Sequence, residues 1–244
     1  MLWLVEKLDG LTDNLISTLK RGGYKLFIID NISNEDDLSR FKDLKSPLVY
    51  YGSLNLAMKL KDKYPDWKPG IYGDREFYKC TNYYPLFGYN HINCDYTCMT
   101  FGELNKEQVR NGSVFVRPDS ILKEFTGTVV SLDDFDEKYK LMSFYDDVVT
   151  PQLPIIVSSV KEIRGEWRFI VVDNEIISKM KSCPDEAYEF ATRMAKNNIP
   201  DRVWVLDVCS SNLGYKVLEI GCFSFAEIYS TTDLDNIVKK VSLI

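Results

Sequence analysis

The chain has 244 residues, 45% of them hydrophobic, with 30 Lys+Arg against 36 Asp+Glu and a formal charge of −6. Length and composition suit a globular protein with a sizeable core. The acidic balance excludes a protein that binds nucleic acid by broad phosphate neutralisation, and runs such as Lys25–Asp30 and Phe169–Val172 are far too short to span a bilayer.

In chain order, the N-terminal part alternates strand and helix. Leu2–Glu6 reads as a strand, Thr12–Arg21 as a helix stopped by Gly22-Gly23, and Tyr24–Asp30 as a second strand. Glu35–Lys42 reads as a short helical piece capped by Asn34 or Ser33. Pro47–Tyr51 is a third strand and Ser53–Lys63 a further helix. This alternation predicts a small parallel α/β layer. It carries no G-x-G-x-x-G or Walker A phosphate loop. Residues 65–100 are rich in aromatics and loop residues and read as a packed, irregular connector, with a substrate-facing wall as the alternative. A helix is expected over Phe101–Arg110, which places the domain junction near residue 105.

The second part changes style. Val114–Pro118, Thr128–Ser131, Pro154–Val160 and Glu166–Val172 read as strands, with an acidic helical stretch over Asp133–Lys140. Asp173-Asn174 reads as a hairpin turn into Glu175–Met180. A helix follows from Pro184 to Asn197, then a hairpin of Val203–Val208 and Tyr215–Ile220. The predicted layer is mostly antiparallel sheet with helices on one face.

The charges are unevenly divided. Residues 1–110 hold 15 basic and 15 acidic side chains, whereas 111–244 hold 15 and 21. Most of the excess, in Asp133–Glu137 and Asp146-Asp147, reads as solvated surface. Six cysteines at 80, 94, 98, 183, 209 and 222 show no disulfide framework, and the N-terminus shows no basic leader, so reduced thiols in a cytoplasm are expected. His91, Cys94 and Cys98 lack a clear fourth zinc ligand and read as packed or half-exposed side chains.

Three features of the second part carry chemistry. Arg117 interrupts an apolar strand, so its guanidinium is either paired, with Asp119 or Glu124, or presented with Lys123 to an anion such as phosphate. In the strand EWRF, Glu166 and Arg168 share one face, which suits a polar cleft or a plain solvent face. Asp207 and Glu219 lie on consecutive strands of one hairpin. Two inward carboxylates repel unless compensated, either by magnesium with nucleotide phosphates or by Arg and Lys partners.

Taken in order, FVRPDSILKEFTG (115–127), PIIVSSVKEIRGEWRFIVVDNEII (154–177) and VLDVCSSNLGYKVLEIGCFSFAEIY (205–229) resemble the ATP-grasp superfamily, and more specifically a group of ATP-grasp proteins of bacteria and phages. The segment NHINCDYTCMTFGEL (90–104) is similar to the stretch that precedes the ATP-binding part in that group. The resemblance implies a mixed α/β chain: a small parallel pre-ATP-grasp domain over 1–105, then an ATP-grasp domain over 106–244 with mostly antiparallel sheet. It implies ATP and Mg2+, and a carboxylate–amine ligase working through an acyl phosphate on small-molecule, peptide or protein substrates in a bacterial or phage-infected cytoplasm, with no membrane.

Position by position, the resemblance places Arg117 (where a lysine is often found), Lys123 and Arg168 in catalysis at the phosphates, Arg168 alternatively at the carboxylate substrate. It places Ser158, Ser159, Val160 and Lys161 at the adenine hinge, with Val157 and Leu218 packing on the base. Glu166 falls near the ribose or the metal, Lys179 adds positive charge, and Asp207 and Glu219 hold magnesium. Two departures bear on catalysis: Gly221 stands where the family usually has Asn, and Glu227 where it tends to have Gly. They leave two alternatives, a nucleotide-binding module with weakened catalysis and a kinase using the same phosphoryl chemistry.

Overall fold

The computed structural model describes every residue except 31–34, 145–147, 179, 181 and 230–232, and gives no side chains for 35–37. The cap at Ser33 or Asn34, the run Asp146-Asp147, and Lys179 lie outside the described residues.

The chain begins with β1 (Leu2–Glu6), α1 (Asp13–Arg21), β2 (Lys25–Ile29), a 3₁₀ turn (Glu35–Phe41), β3 (Leu48–Tyr51) and α2 (Leu54–Lys63), ending this run with the two-residue β4 (Pro69–Gly70). These strands form one parallel sheet in the order β2-β1-β3-β4. The Ser53 hydroxyl caps α2 by accepting from the Leu56 N–H. β1 and β3 are apolar along nearly their whole length, as strands covered on both faces must be.

Residues 65–100 are more regular than the connector expected there. They contain α3 (Cys80–Phe87) and β5 (Thr97–Thr100). Pro85 inside α3 disguises the helix in the sequence, yet Cys80, Tyr83, Tyr84 and Phe87 repeat at helical spacing and are its buried face. Gly88, at φ +51°, ends it. The helix expected over Phe101–Arg110 is absent; Phe101–Glu103 forms a single 3₁₀ turn and 105–111 a series of turns. The Asn105 side chain accepts from the Glu107 N–H, a local bond that competes with helix formation.

The remaining elements are β6 (Val114–Pro118), β7 (Thr128–Val130), α4 (Phe135–Met142), β8 (Pro154–Ser159), β9 (Ile163–Val172), β10 (Glu175–Ser178), α5 (Asp185–Met194), β11 (Val203–Ser211), β12 (Gly214–Cys222) and α6 (Leu234–Val241). α4 begins two residues later than expected, β9 three residues earlier, and α6 is an element the sequence reading omitted. Asp173 and Asn174 both take positive φ, +48° and +64°, in the turn joining β9 to β10.

The chain divides into two compact units, each assembled from separated segments. The first comprises Met1–Gly73, Trp167–Asp207 and Ile220–Ile244. Its core joins Trp3, Val5 and Val49 of the parallel sheet to Leu15 and Leu19 of α1, Ile237 and Val241 of α6, and Ile170, Val205 and Phe223. The second comprises Asp74–Glu166 and Val208–Glu219. It holds the antiparallel sheet β5-β8-β6-β7, with Val116, Val130, Ile155 and Val157 packed against Phe135 and Met142 of α4. The third sheet runs β10-β9-β11-β12.

Candidate functional site

In the second unit, strand alternation separates two faces of the antiparallel sheet. Val116 of β6 turns into the α4 core, so its neighbour Arg117, paired in register with Ile156, turns the other way. Arg117 Nη2 donates to Glu219 Oε1 at 3.1 Å, and Lys123 Nζ approaches the same oxygen at 3.5 Å. The Arg117 side chain is 12% exposed and that of Glu219 25%. Lys123 sits at φ +53° in the loop between β6 and β7, which aims a flexible cation back at the strand. Burial alone would raise the Glu219 pKa, but Arg117 and then Lys123 outweigh it and hold the carboxyl below its ordinary range. Arg117 therefore pairs with neither Asp119 nor Glu124. Asp119 accepts instead from the Thr81 N–H and hydroxyl, at 3.0 and 2.6 Å.

Behind Arg117 lies an aromatic and polar wall from α3 and the residues after it. Burial keeps the Tyr83 and Tyr84 hydroxyls protonated. His91 is fully buried, stacks on Tyr84 at 3.6 Å between ring centroids, and accepts from the Asn93 N–H through Nδ1. Burial first, then Arg117 and Lys161, push its pKa well down, so it is neutral at pH 7 and carries its proton on Nε2. His91 Nε2 and the Tyr83 hydroxyl are buried without partners among the described residues.

The segment His91–Asp95 clasps the end of β8. Ser158 Oγ donates to Asn93 Oδ1 at 3.1 Å, and Ser159 donates its N–H and hydroxyl to Asp95 Oδ2 at 3.3 and 2.5 Å. Lys161, its side chain 7% exposed, pairs with the other Asp95 oxygen. Burial would raise the Asp95 pKa, but Lys161 and Ser159 more than offset it. The same segment holds β12: Ile92 N–H donates to Val217 O at 2.9 Å, and Lys216 Nζ to Tyr89 O at 2.6 Å. The structure thus brings Ser158, Ser159 and Lys161 together, with Val160 exposed beside them. Val157 lies apart from them, in the α4 core with Ile155 and Val116. It does not share the Arg117 face, because alternation turns Ile156 and Ser158 that way. Leu218 is half-buried next to Glu219. Glu166 is exposed and ends this unit's first segment; burial, and after it the Glu166 charge, push the Cys209 thiol up to about 11.

In the first unit, Arg168 Nε and Nη2 donate to Asp207 Oδ1 and Oδ2 at 2.8 and 2.7 Å, a bidentate pair. Nη1 donates to the Glu227 carbonyl at 3.1 Å, and the guanidinium lies 4.9 Å from the Tyr229 ring centroid. Asp207 is buried, with its side chain 5% exposed and that of Arg168 19%. Tyr51 ties down the same segment by donating to Ala226 O at 2.5 Å.

Each of the two carboxylates thus has an arginine partner. The donor set also suits magnesium. Both residues supply hard oxygens, Glu219 Oε2 makes no hydrogen bond with any described residue, and a bidentate arginine leaves lone pairs on Asp207. A Cβ added at Gly221 would meet only Val205 Cβ, at 3.7 Å, so no steric demand excludes the Asn found in relatives. Among the described residues no group of three or more His, Cys, Asp or Glu side chains is gathered for a metal, and no helix is long and apolar enough to cross a membrane.

The architecture, a parallel α/β layer combined with antiparallel sheets, is that of the ATP-grasp enzymes. The model of an ATP-grasp domain, the third family of its clade, matches residues 89–241, and the chain belongs to that family. Among solved structures, it is similar to N5-carboxyaminoimidazole synthetase from Staphylococcus aureus, with a TM-score of 0.66 at 9% identity over 98% of this chain and 76% of that one. It is similar to D-cycloserine synthetase, with a TM-score of 0.65 at 8% identity over 100% and 99% of the two chains. D-alanine–D-alanine ligase from Bacillus anthracis gives 0.56 at 12% identity over 99% and 91%. At these identities the likeness is one of fold. No curated protein sequence matches the chain.

Sequence reasoning missed Asn93 and Asp95 as the clasp on the hinge and Tyr51 as the anchor of 226–229. Their signal was weak: Asn93 and Asp95 lie in the quoted NHINCD run, and Tyr51 is one aromatic at a strand end.

Proposed function

We propose that this protein is an ATP-dependent carboxylate–amine ligase. The observation that carries the reading is the largely buried Arg117–Glu219–Lys123 cluster inside the family-matched region. Two cations converge on a single carboxylate oxygen there, which suits a place where phosphates and a metal bring further charges that must balance. In this reading Arg117 and Lys123 contact the ATP phosphates. Ser158–Lys161 form the adenine hinge, held in shape by Asn93 and Asp95, and Leu218 packs on the base. Glu166 lies toward the ribose, and Lys179 adds positive charge. Residues 1–105 serve as the pre-ATP-grasp domain and 106–244 as the ATP-grasp domain. Structures of relatives in complex with ATP and with ADP support a nucleotide here.

Asp207 and Glu219 would hold magnesium, which neutralises phosphate charge when bound. Arg168 is assigned a positioning role, because Nε and Nη2 are spent on Asp207 and Nη1 on the Glu227 carbonyl. A substrate carboxylate oxygen attacks the γ-phosphorus, forming an acyl phosphate and releasing ADP. The amine nitrogen then attacks the acyl carbon, phosphate leaves, and the nitrogen loses a proton to form the amide. His91 is neutral and buried and supplies no base. That proton passes to phosphate or to solvent.

The test is ADP release with ATP, magnesium and pools of amino acids or peptides. Amide product with stoichiometric ADP and phosphate is expected; a stable phosphorylated product in the presence of amines would indicate a kinase. One observation favours a second reading, nucleotide binding without turnover. Gly221 offers no side chain to the metal although its surroundings have room for one. That reading predicts ATP affinity insensitive to magnesium and no ADP release with any acceptor.

A further inference from the structure

Glu227, a departure from the family pattern, is left without a role by the phosphate chemistry. It lines a pocket of about 290 Å3 in the first unit, together with Leu11, Leu15, Tyr51, Met180 and Tyr229. The backbone carbonyl of Glu227 is taken by Arg168, and the Tyr51 hydroxyl by Ala226 O, so the wall carrying Glu227 is pinned on both sides. Glu227 is exposed, which sets its carboxylate at the rim of the pocket, and that carboxylate makes no ion pair or hydrogen bond with any described residue. It is the single charged side chain among the described residues of the lining. Arg168, the nearest cation named here, is already neutralised by its bidentate pair with Asp207.

A pocket of aliphatic and aromatic walls with one free carboxylate at its rim has a sharply defined preference. It takes an apolar body inside and a cation at the mouth, and it repels an anionic group there. Leu11 and Leu15 supply aliphatic surface, Met180 an adaptable thioether, and the two tyrosines flat faces that also attract cations. The volume lies at the small end of ligand pockets, room for one amino-acid-sized body and little more. We propose that this pocket binds a primary amine with an apolar body, such as the N-terminal residue of a peptide or the amide of an apolar amino acid, through an ion pair to Glu227. The inference rests on the ligase reading, for which it names the amine substrate, and it makes Glu227 the residue that selects that substrate.

The test uses two probes on the full chain without nucleotide: L-leucinamide, cationic at pH 7, and N-acetyl-L-leucinamide, its neutral analogue. Binding is followed by ligand-observed NMR and calorimetry. Leucinamide is expected to bind about five-fold to ten-fold more tightly than the acetylated probe, the preference of an ion pair that solvent partly screens. That preference should shrink on raising the salt concentration, disappear in Glu227→Gln and largely persist in Glu227→Asp. The comparison of probes on the unmodified protein needs no variant to fold. Equal binding of the two probes, or no saturable leucinamide binding by a protein whose melting is intact, overturns the proposal. ATP is titrated separately on the same preparations. Amine selectivity without ATP binding would sink the ligase reading while leaving the pocket's chemistry standing, and ATP binding without amine selectivity would do the reverse.

Discussion

Replacing Arg117 by Met keeps most of the side-chain volume and removes the charge that faces Glu219. Removing one partner of a fully buried ion pair costs about 3–5 kcal/mol, because the other charge is left desolvated. Here the Glu219 side chain is 25% exposed and Lys123 stays 3.5 Å from the same oxygen, so both solvent and a second cation soften the loss. About 2 kcal/mol follows, and with a urea slope of about 2.5 kcal/mol/M the unfolding midpoint should fall by about 0.8 M. The double variant Arg117→Met with Glu219→Gln should lose less than the two singles together, because neither charge is then stranded.

The pH dependence has a definite sign. Arg117 and Lys123 hold the Glu219 carboxyl below its unfolded value, so its contribution is present above the ordinary glutamate pKa of about 4.3. It is lost as the pH falls through the lower folded value. The gap between the native protein and Arg117→Met should therefore be full at pH 7 and narrow below about pH 4. Urea unfolding of both proteins at neutral and acid pH checks this. An Arg117→Met protein within about 0.5 kcal/mol of the native one at pH 7, or a gap unchanged in acid, refutes the reasoning.

Three further outcomes follow from the same geometry. Asp95→Ala frees Ser159 and leaves the nearly buried Lys161 unpaired, so ATP affinity should drop by about ten-fold or more, with Asp95→Asn intermediate; calorimetric titration separates the two. Arg168→Ala strands the buried Asp207 carboxylate and releases the Glu227 carbonyl, costing about 3 kcal/mol in unfolding free energy, more than Arg117→Met. Gly221→Asn supplies an amide oxygen where a Cβ meets only ordinary contact, so magnesium should enhance ATP binding more in this variant than in the native chain.

Much of the fold was legible because local signals and burial agree. Alternating strands and helices in residues 1–63 became a parallel sheet, and Asp173-Asn174 became a positive-φ turn between antiparallel strands. The signal failed where one residue contradicted its surroundings. Pro85 argued against a helix that the apolar stripe at 80, 83, 84 and 87 supported, and packing decided for the stripe. Over 101–110 the polar composition suited a helix, but Asn105 bonded its own backbone instead. At the site, the residue types were readable and the partners were not. Arg117 was marked as paired or presented, but its partner Glu219 lies 102 positions away, and that pairing is set only when the strands assemble. The clasp of Asn93 and Asp95 on β8 is likewise a contact across about 65 residues, invisible to any local pattern.

The central claim is that the Arg117–Lys123–Glu219 cluster is a nucleotide site. Calorimetric titration of the full chain with ATP in the presence of magnesium tests it most directly. The account predicts saturable one-site binding that weakens at least about ten-fold in Arg117→Met. Absence of saturable binding at millimolar ATP, or an affinity untouched by that substitution, would contradict it.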